Sequence, residues 1–185
     1  MNKVEIEKKY LIKGKNTAKI IKKLTCLGAS HVEDIKQTDV YFNTPKRSSL
    51  SSKECLRIRT INNKIFEITY KPPTAENHQS SNFFAKQEIN LSVDSAKMAE
   101  VVLLSIGCKI ITKVEKNRKC FRLDKFEIFL DNVKGAGMFL EVETIDYPKN
   151  TFTRLMEIET IVASLGINSA DVESKPYRDL VMEEK

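Results

Sequence analysis

Val4-Glu5-Ile6-Glu7-Lys8-Lys9-Tyr10 is the first extended run of the chain, and it reads as Glu-x-Glu-x-Lys. In a β-strand successive side chains point to opposite faces. Glu5, Glu7 and Lys9 therefore share one face, and Val4, Ile6 and Tyr10 share the other. The apolar face has something to pack on, while the charged face must meet water, a metal or an anion. A single strand of this kind is ordinarily a solvated face. Here the pattern recurs along the chain.

The same alternation of period two places Arg57 and Arg59 together, with Leu56 and Ile58 facing away. Glu67, Thr69 and Lys71 align opposite Phe66, Ile68 and Tyr70. Lys86, Glu88 and Asn90 align, as do Lys116 and Arg118, and Asp131 lies opposite Leu130. Glu141 and Glu143 align opposite Leu140 and Val142. Between these strands, helices are expected from about Thr17 to Leu27, from an Asp94 cap to Gly107, and over 152–165 before Gly166. Asn62-Asn63 marks a hairpin, 83–91 reads as one strand, and the tail from Pro176 forms one or two helical turns. An internal repeat also appears: Gly28 to Phe42 and Gly107 to Phe121 match at a constant offset of 79 residues.

Helices over the apolar backs would bend such a sheet until its charged faces converge. The expected fold is therefore α+β: a closed eight-stranded antiparallel β-barrel with helices packed on the outside. Its narrow interior would hold the bases Lys9, Arg57, Arg59, Lys71, Lys86, Lys116 and Arg118. The acids Glu5, Glu7, Glu88, Asp131, Glu141 and Glu143 would face them. Buried charges must pair or bind ions. Carboxylates with no Cys or His nearby select hard cations, Mg²⁺ or Mn²⁺, and Lys and Arg select phosphate. Metals that bridge phosphate oxygens to carboxylates are the standard device of phosphoryl chemistry. The chain has no Gly-rich Walker loop, so a polyphosphate would be gripped by side chains.

Composition bounds the rest. With 185 residues and 41% hydrophobic content, residues 1–185 read as a single domain. No apolar run approaches the roughly 20 residues of a membrane span, which argues for a cytoplasmic protein with no membrane partner. The four cysteines are far apart and read as free thiols. The net charge of +6 favours an anionic partner. Dispersed basic residues fit a small polyanion better than nucleic acid.

The motifs Glu5-x-Glu7-x-Lys9, Asp39-Val40-Tyr41-Phe42, Leu56-Arg57-Ile58-Arg59, Thr69-Tyr70-Lys71, Lys116-x-Arg118, Leu130-Asp131 and Glu141-x-Glu143 stand in the order of a known family. Together they resemble the CYTH superfamily, the triphosphate tunnel metalloenzymes, and within it the class IV adenylyl cyclases and thiamine-triphosphatase-like proteins. The resemblance implies a metal set of Glu5, Glu7, Asp131, Glu141 and Glu143, holding two divalent ions. It implies that Lys9, Arg57, Arg59, Lys71, Lys86, Lys116 and Arg118 bind the triphosphate, and that Glu5, Glu7, Lys9 and Asp131 are catalytic. The substrate would be ATP, another nucleoside or organic triphosphate, or tripolyphosphate. A homodimer is a further expectation. Lys86, where Arg is more usual in the family, and Asn90, where a second Glu often sits, depart from its pattern. The loops 43–54 and 73–82 are candidates for base recognition.

Overall fold

The computed structural model describes residues 4–14, 17–48, 54–73, 84–146 and 151–184. Nine strands form one antiparallel sheet. In chain order they are β1 (Val4–Leu11), β2 (Ser30–Asn43), β3 (Cys55–Ile61), β4 (Ile65–Lys71), β5 (Phe84–Gln87), β6 (Ile89–Val93), β7 (Lys109–Leu123), β8 (Phe126–Val133) and β9 (Gly137–Asp146). The helices are α1 (Thr17–Cys26), α2 (Ala96–Ser105), α3 (Thr151–Ser164) and α4 (Tyr177–Glu183), with a 3₁₀ turn at Ser169–Asp171. No helix among the described residues is long and apolar enough to cross a membrane.

The strand order is β5-β1-β9-β8-β7-β2-β3-β4-β6. This corrects the expectation of a closed eight-stranded barrel. The sheet has nine strands, and no ladder joins its edge strands β5 and β6. The reason lies at Glu88. The run 83–91, expected as one strand, breaks there. Phe84–Gln87 pairs with β1, whereas Ile89–Val93 pairs with β4. The residues that would close a barrel are thus divided between the two edges.

The sheet is nevertheless strongly curled. A flat nine-stranded sheet would set its edges about 38 Å apart, yet Glu88 alone separates β5 from β6. The inner face gives the same answer. Leu11, Phe139, Val133, Val114, Tyr41 and Cys55, from six successive strands of the order, all pack in one cluster around Tyr177 and Val181 of α4. Six flat strands span about 24 Å, more than twice the roughly 10 Å width of a helix. The strands must therefore wrap around α4.

The outer face carries the largest core and one other. Ile20 and Leu24 of α1 and Ile158 and Val162 of α3 pack on Ile6, Tyr10, Ile128, Leu130, Leu140 and Val142. Ala99 and Leu103 of α2 cover Phe42, Leu56 and Ile58. Each fully buried aliphatic or aromatic side chain contributes about 1.5–3 kcal/mol. These contacts hold the convex side and leave the polar residues of the same strands facing inward. One helix boundary differs from expectation: Ser95, not Asp94, caps α2, and its hydroxyl accepts from the Met98 N–H at 3.3 Å. The side chain one position nearer the helix is the one within reach of that amide.

Candidate functional site

The inner face of the curled sheet gathers most of the residues that alternation singled out. Glu7 and Glu143 sit directly opposite on β1 and β9, and Lys9 sits opposite Glu141. Carboxylate oxygens of Glu7, Glu141 and Glu143 all lie within 4.8 Å of one another. Glu141 is buried and the other two are half-buried. Three hard oxygen donors at that spacing fit a divalent cation of the Mg²⁺ or Mn²⁺ type.

Asp131 lies outside this trio. Its carboxylate accepts from Arg118 Nε at 2.7 Å, Arg118 Nη2 at 2.6 Å, Lys116 Nζ at 3.1 Å and the Tyr177 hydroxyl at 2.9 Å. Burial alone would raise its pKa. The adjoining Lys116 and Arg118 charges more than offset that and hold the group well below the usual carboxylate range. Arg118 Nη2 also reaches Glu141 at 2.7 Å, so one guanidinium joins the paired acid to the acid trio. Lys9 donates to the Lys175 carbonyl and lies 4.4 Å from the centre of the Tyr177 ring. Burial lowers its pKa, against the pull of Glu141 and Glu7.

The second basic group is on β3. Arg59 holds Asp39 through two parallel bonds, Nε to Oδ1 at 2.9 Å and Nη2 to Oδ2 at 3.0 Å. Arg57 approaches the same carboxylate at 3.5 Å and Glu88 at 3.7 Å. Lys71 is ion-paired with Glu88. The Arg57 Nε is buried and has no hydrogen-bond partner among the described residues. A buried donor of this kind calls for an acceptor. The side chains of Glu5 and Lys86 lie outside the described residues, although backbone register pairs the two positions with each other.

Several members of the site escape a count limited to strands already flagged as charged. Asp39 and Gln37 are buried on β2, and Gln37 donates to Asp39 at 3.0 Å. Period two applied to Gln37, Asp39 and Tyr41 would have found them. Glu54, almost fully buried, accepts from Thr44 and Tyr70, each at 3.2 Å, and its carbonyl accepts from Arg178 at 3.1 Å. Thr44 and Glu54 of the loop 43–54 therefore stand at the α4 end of the sheet, while 49–53 and 74–83 are outside the described residues. Tyr177 and Arg178 gave no sign in the sequence, because nothing local fixes where a terminal helix docks.

Residues 3–177 match the CYTH domain. The chain belongs to the CYTH family. A Methanocaldococcus jannaschii protein, provisionally named an adenylate cyclase, is 28% identical over 178 residues, which is 96% of this chain and 98% of that protein. The adenylate cyclase CyaB of Aeromonas hydrophila is 24% identical over 151 residues, 80% of this chain and 74% of that one. Among solved structures, the PH1012 protein of Pyrococcus horikoshii superposes with a TM-score of 0.79 at 31% identity, covering 96% of this chain and 99% of its own. The family model, the Methanocaldococcus relative and the Pyrococcus structure each cover nearly the whole of this chain.

Proposed function

We propose that this CYTH-family protein is a metal-dependent enzyme acting on a triphosphate, and specifically an adenylyl cyclase that converts ATP to cyclic AMP and pyrophosphate. One observation carries the reading: an acid trio, Glu7, Glu141 and Glu143, shares an inner face with Arg57, Arg59, Lys116 and Arg118, and the Arg57 Nε has no acceptor among the described residues. A divalent cation on the trio would supply charge neutralisation for phosphate oxygens.

The remaining roles follow from the chain's own groups. Arginine forks suit phosphate oxygens because they donate two parallel bonds. Arg59 has five N–H donors and spends two on Asp39, which fixes its plane while leaving donors for a ligand. Lys116 and Arg118 are held by Asp131 in the same way. Buried cations that are already oriented pay little reorganisation when charge develops nearby. Lys9, opposite Glu141 on β9, would stand beside the acid trio as a neighbour of the reacting phosphate.

The test is product analysis with Mg²⁺ or Mn²⁺ on ATP, thiamine triphosphate and tripolyphosphate. Cyclic AMP is the expected product. Thiamine diphosphate or orthophosphate in its place would make the protein a triphosphatase. Binding without turnover would make it a nucleotide- or polyphosphate-binding module. Glu143→Gln should abolish metal-dependent turnover while the circular dichroism spectrum stays native, and unchanged turnover would remove the metal role of the trio.

A further inference from the structure

The repeat at offset 79 extends back through the helices. Under it α1 (Thr17–Cys26) and α2 (Ala96–Ser105) coincide residue for residue. Their buried positions agree, Ile20 with Ala99 and Leu24 with Leu103. Their outer positions do not. Lys19, Lys22 and Lys23 of α1 correspond to Met98, Val101 and Val102 of α2, and Cys26 corresponds to Ser105. Positions spaced i, i+3, i+4 and i+7 form one stripe along a helix. On α1 that stripe is basic, and Lys19 and Lys22 stand in water. On α2 it is apolar yet open, with Met98 61%, Val101 46% and Val102 55% exposed. The same element in the same place thus has two surfaces, and only the one bearing lysines is made for water.

The strand before α2 widens the apolar surface. On β6, Leu91 lies opposite Ile68 and Ile89 opposite Tyr70, and Ile68 and Tyr70 both pack in the cluster beneath α2. Ile89 and Leu91 are therefore on the face that α2 covers, and both are half exposed or more, as is Ile106 at the end of the helix. Six side chains of this size, each about half open, present on the order of 600 Å². The largest apolar patch of a monomer is ordinarily about 300–600 Å², and each partner in a standard interface contributes about 800 Å². β6 is also an edge strand that carries neither a charge nor a proline, two devices by which sheets keep an edge out of contacts.

The stripe is complementary to itself. Set antiparallel across a two-fold axis between Val101 and Val102, each Met98 would lie over the Ser105 of the other copy, a long flexible side chain against a short one. The charged side chains of α2, Lys97 and Glu100, lie off the stripe. They also balance one another, whereas an anionic membrane surface would call for a basic border. We propose that α2 and β6 form the contact between two copies of this chain related by a two-fold axis. The contact is on the outer face, so it leaves the acid trio and its cations on the inner face clear, and it does not depend on the triphosphate reading.

Sedimentation equilibrium of the full chain at about 1 to 100 μM tests this, beside Met98→Lys on α2, Leu91→Ser on β6 and the control Lys22→Ala on α1. The unaltered protein should weigh twice the 21.2 kDa of one chain. Met98→Lys and Leu91→Ser should each weaken the dimer about tenfold or more, with a native circular dichroism spectrum, and the control should stay within about twofold. A monomer throughout the range, or a dimer that neither substitution weakens, would overturn the contact. A monomer that co-sediments with vesicles of anionic phospholipid would overturn it too and give the face to a membrane.

Discussion

Asp39 shows how one carboxylate organises a wall of cations. Burial alone would raise its pKa, but the Arg59 and Arg57 guanidiniums outweigh that and hold it well below the usual carboxylate range. Removing its charge would leave Arg59 without the carboxylate that holds it and Arg57 with only Glu88, at 3.7 Å, as its counter-ion. Breaking a buried pair on one side costs about 3–5 kcal/mol. Asp39→Asn should therefore lower the urea midpoint by a corresponding amount at pH 7. Added tripolyphosphate should restore more stability to the variant than to the unaltered protein, because it supplies the missing negative charge. Urea titrations with and without the anion check both. The arginines themselves were legible from alternation on β3. Asp39 stood out only as the start of the Asp39-Val40-Tyr41-Phe42 family motif; its pairing with them was not legible, because charge pairing between strands depends on a register that no single strand encodes.

At the scale of elements, the most readable feature was the helix–glycine–strand junction. Gly28 and Gly107 adopt φ of 88° and 91°, and in both cases the next residue's N–H returns to a carbonyl five positions back, Ala29 to Leu24 and Cys108 to Leu103, at 3.0 Å. The strands that follow, β2 and β7, pair with each other over most of their length. The repeat at offset 79 thus describes two adjacent elements built alike. Left-handed backbone costs an L-residue roughly 1–2 kcal/mol. Gly28→Ala should lose about that much, since its added methyl would meet nothing within 4 Å. Gly107→Ala should lose more, because the methyl would stand 3.3 Å from Pro45 Cγ. Chemical unfolding of the two variants side by side measures the difference. The division of 83–91 into β5 and β6 was not legible. Both halves have strand-like residues, and what separates them is the sheet edge each one reaches.

For the whole molecule, the buried acids set the response to pH. Asp39, Asp131, Glu88 and Glu141 all have pKa values held down by neighbouring cations, against burial that would raise them. A carboxylate whose folded pKa lies below its unfolded value of about 4 stabilises the fold above that value. The contribution is lost as pH falls through the folded pKa. Stability should be nearly flat from pH 7 to about 5 and then fall steeply below about 4. Urea midpoints followed by circular dichroism from pH 7 to 2 test this, and a midpoint independent of pH down to 2 would contradict the ion-pair account. Curvature was legible in kind, since apolar backs and charged fronts recur on successive strands. The openness of the ladder was not, because alternation fixes which face a residue takes and not which strands meet.

The pairing of β1 with β9 has a consequence for how the protein is made. Val4–Leu11 bonds to Gly137–Asp146 along its whole length, so β1 leaves the ribosome long before the strand it pairs with. At 5–20 residues per second that interval is on the order of ten seconds, during which a strand rich in Val, Ile and Tyr has an open edge. Charges on alternate positions are what natural sheets use to discourage wrong edge-to-edge pairing. In the nascent chain, charges at alternate positions of β1 such as Glu7 and Lys9 would discourage wrong pairing of that edge before β9 arrives.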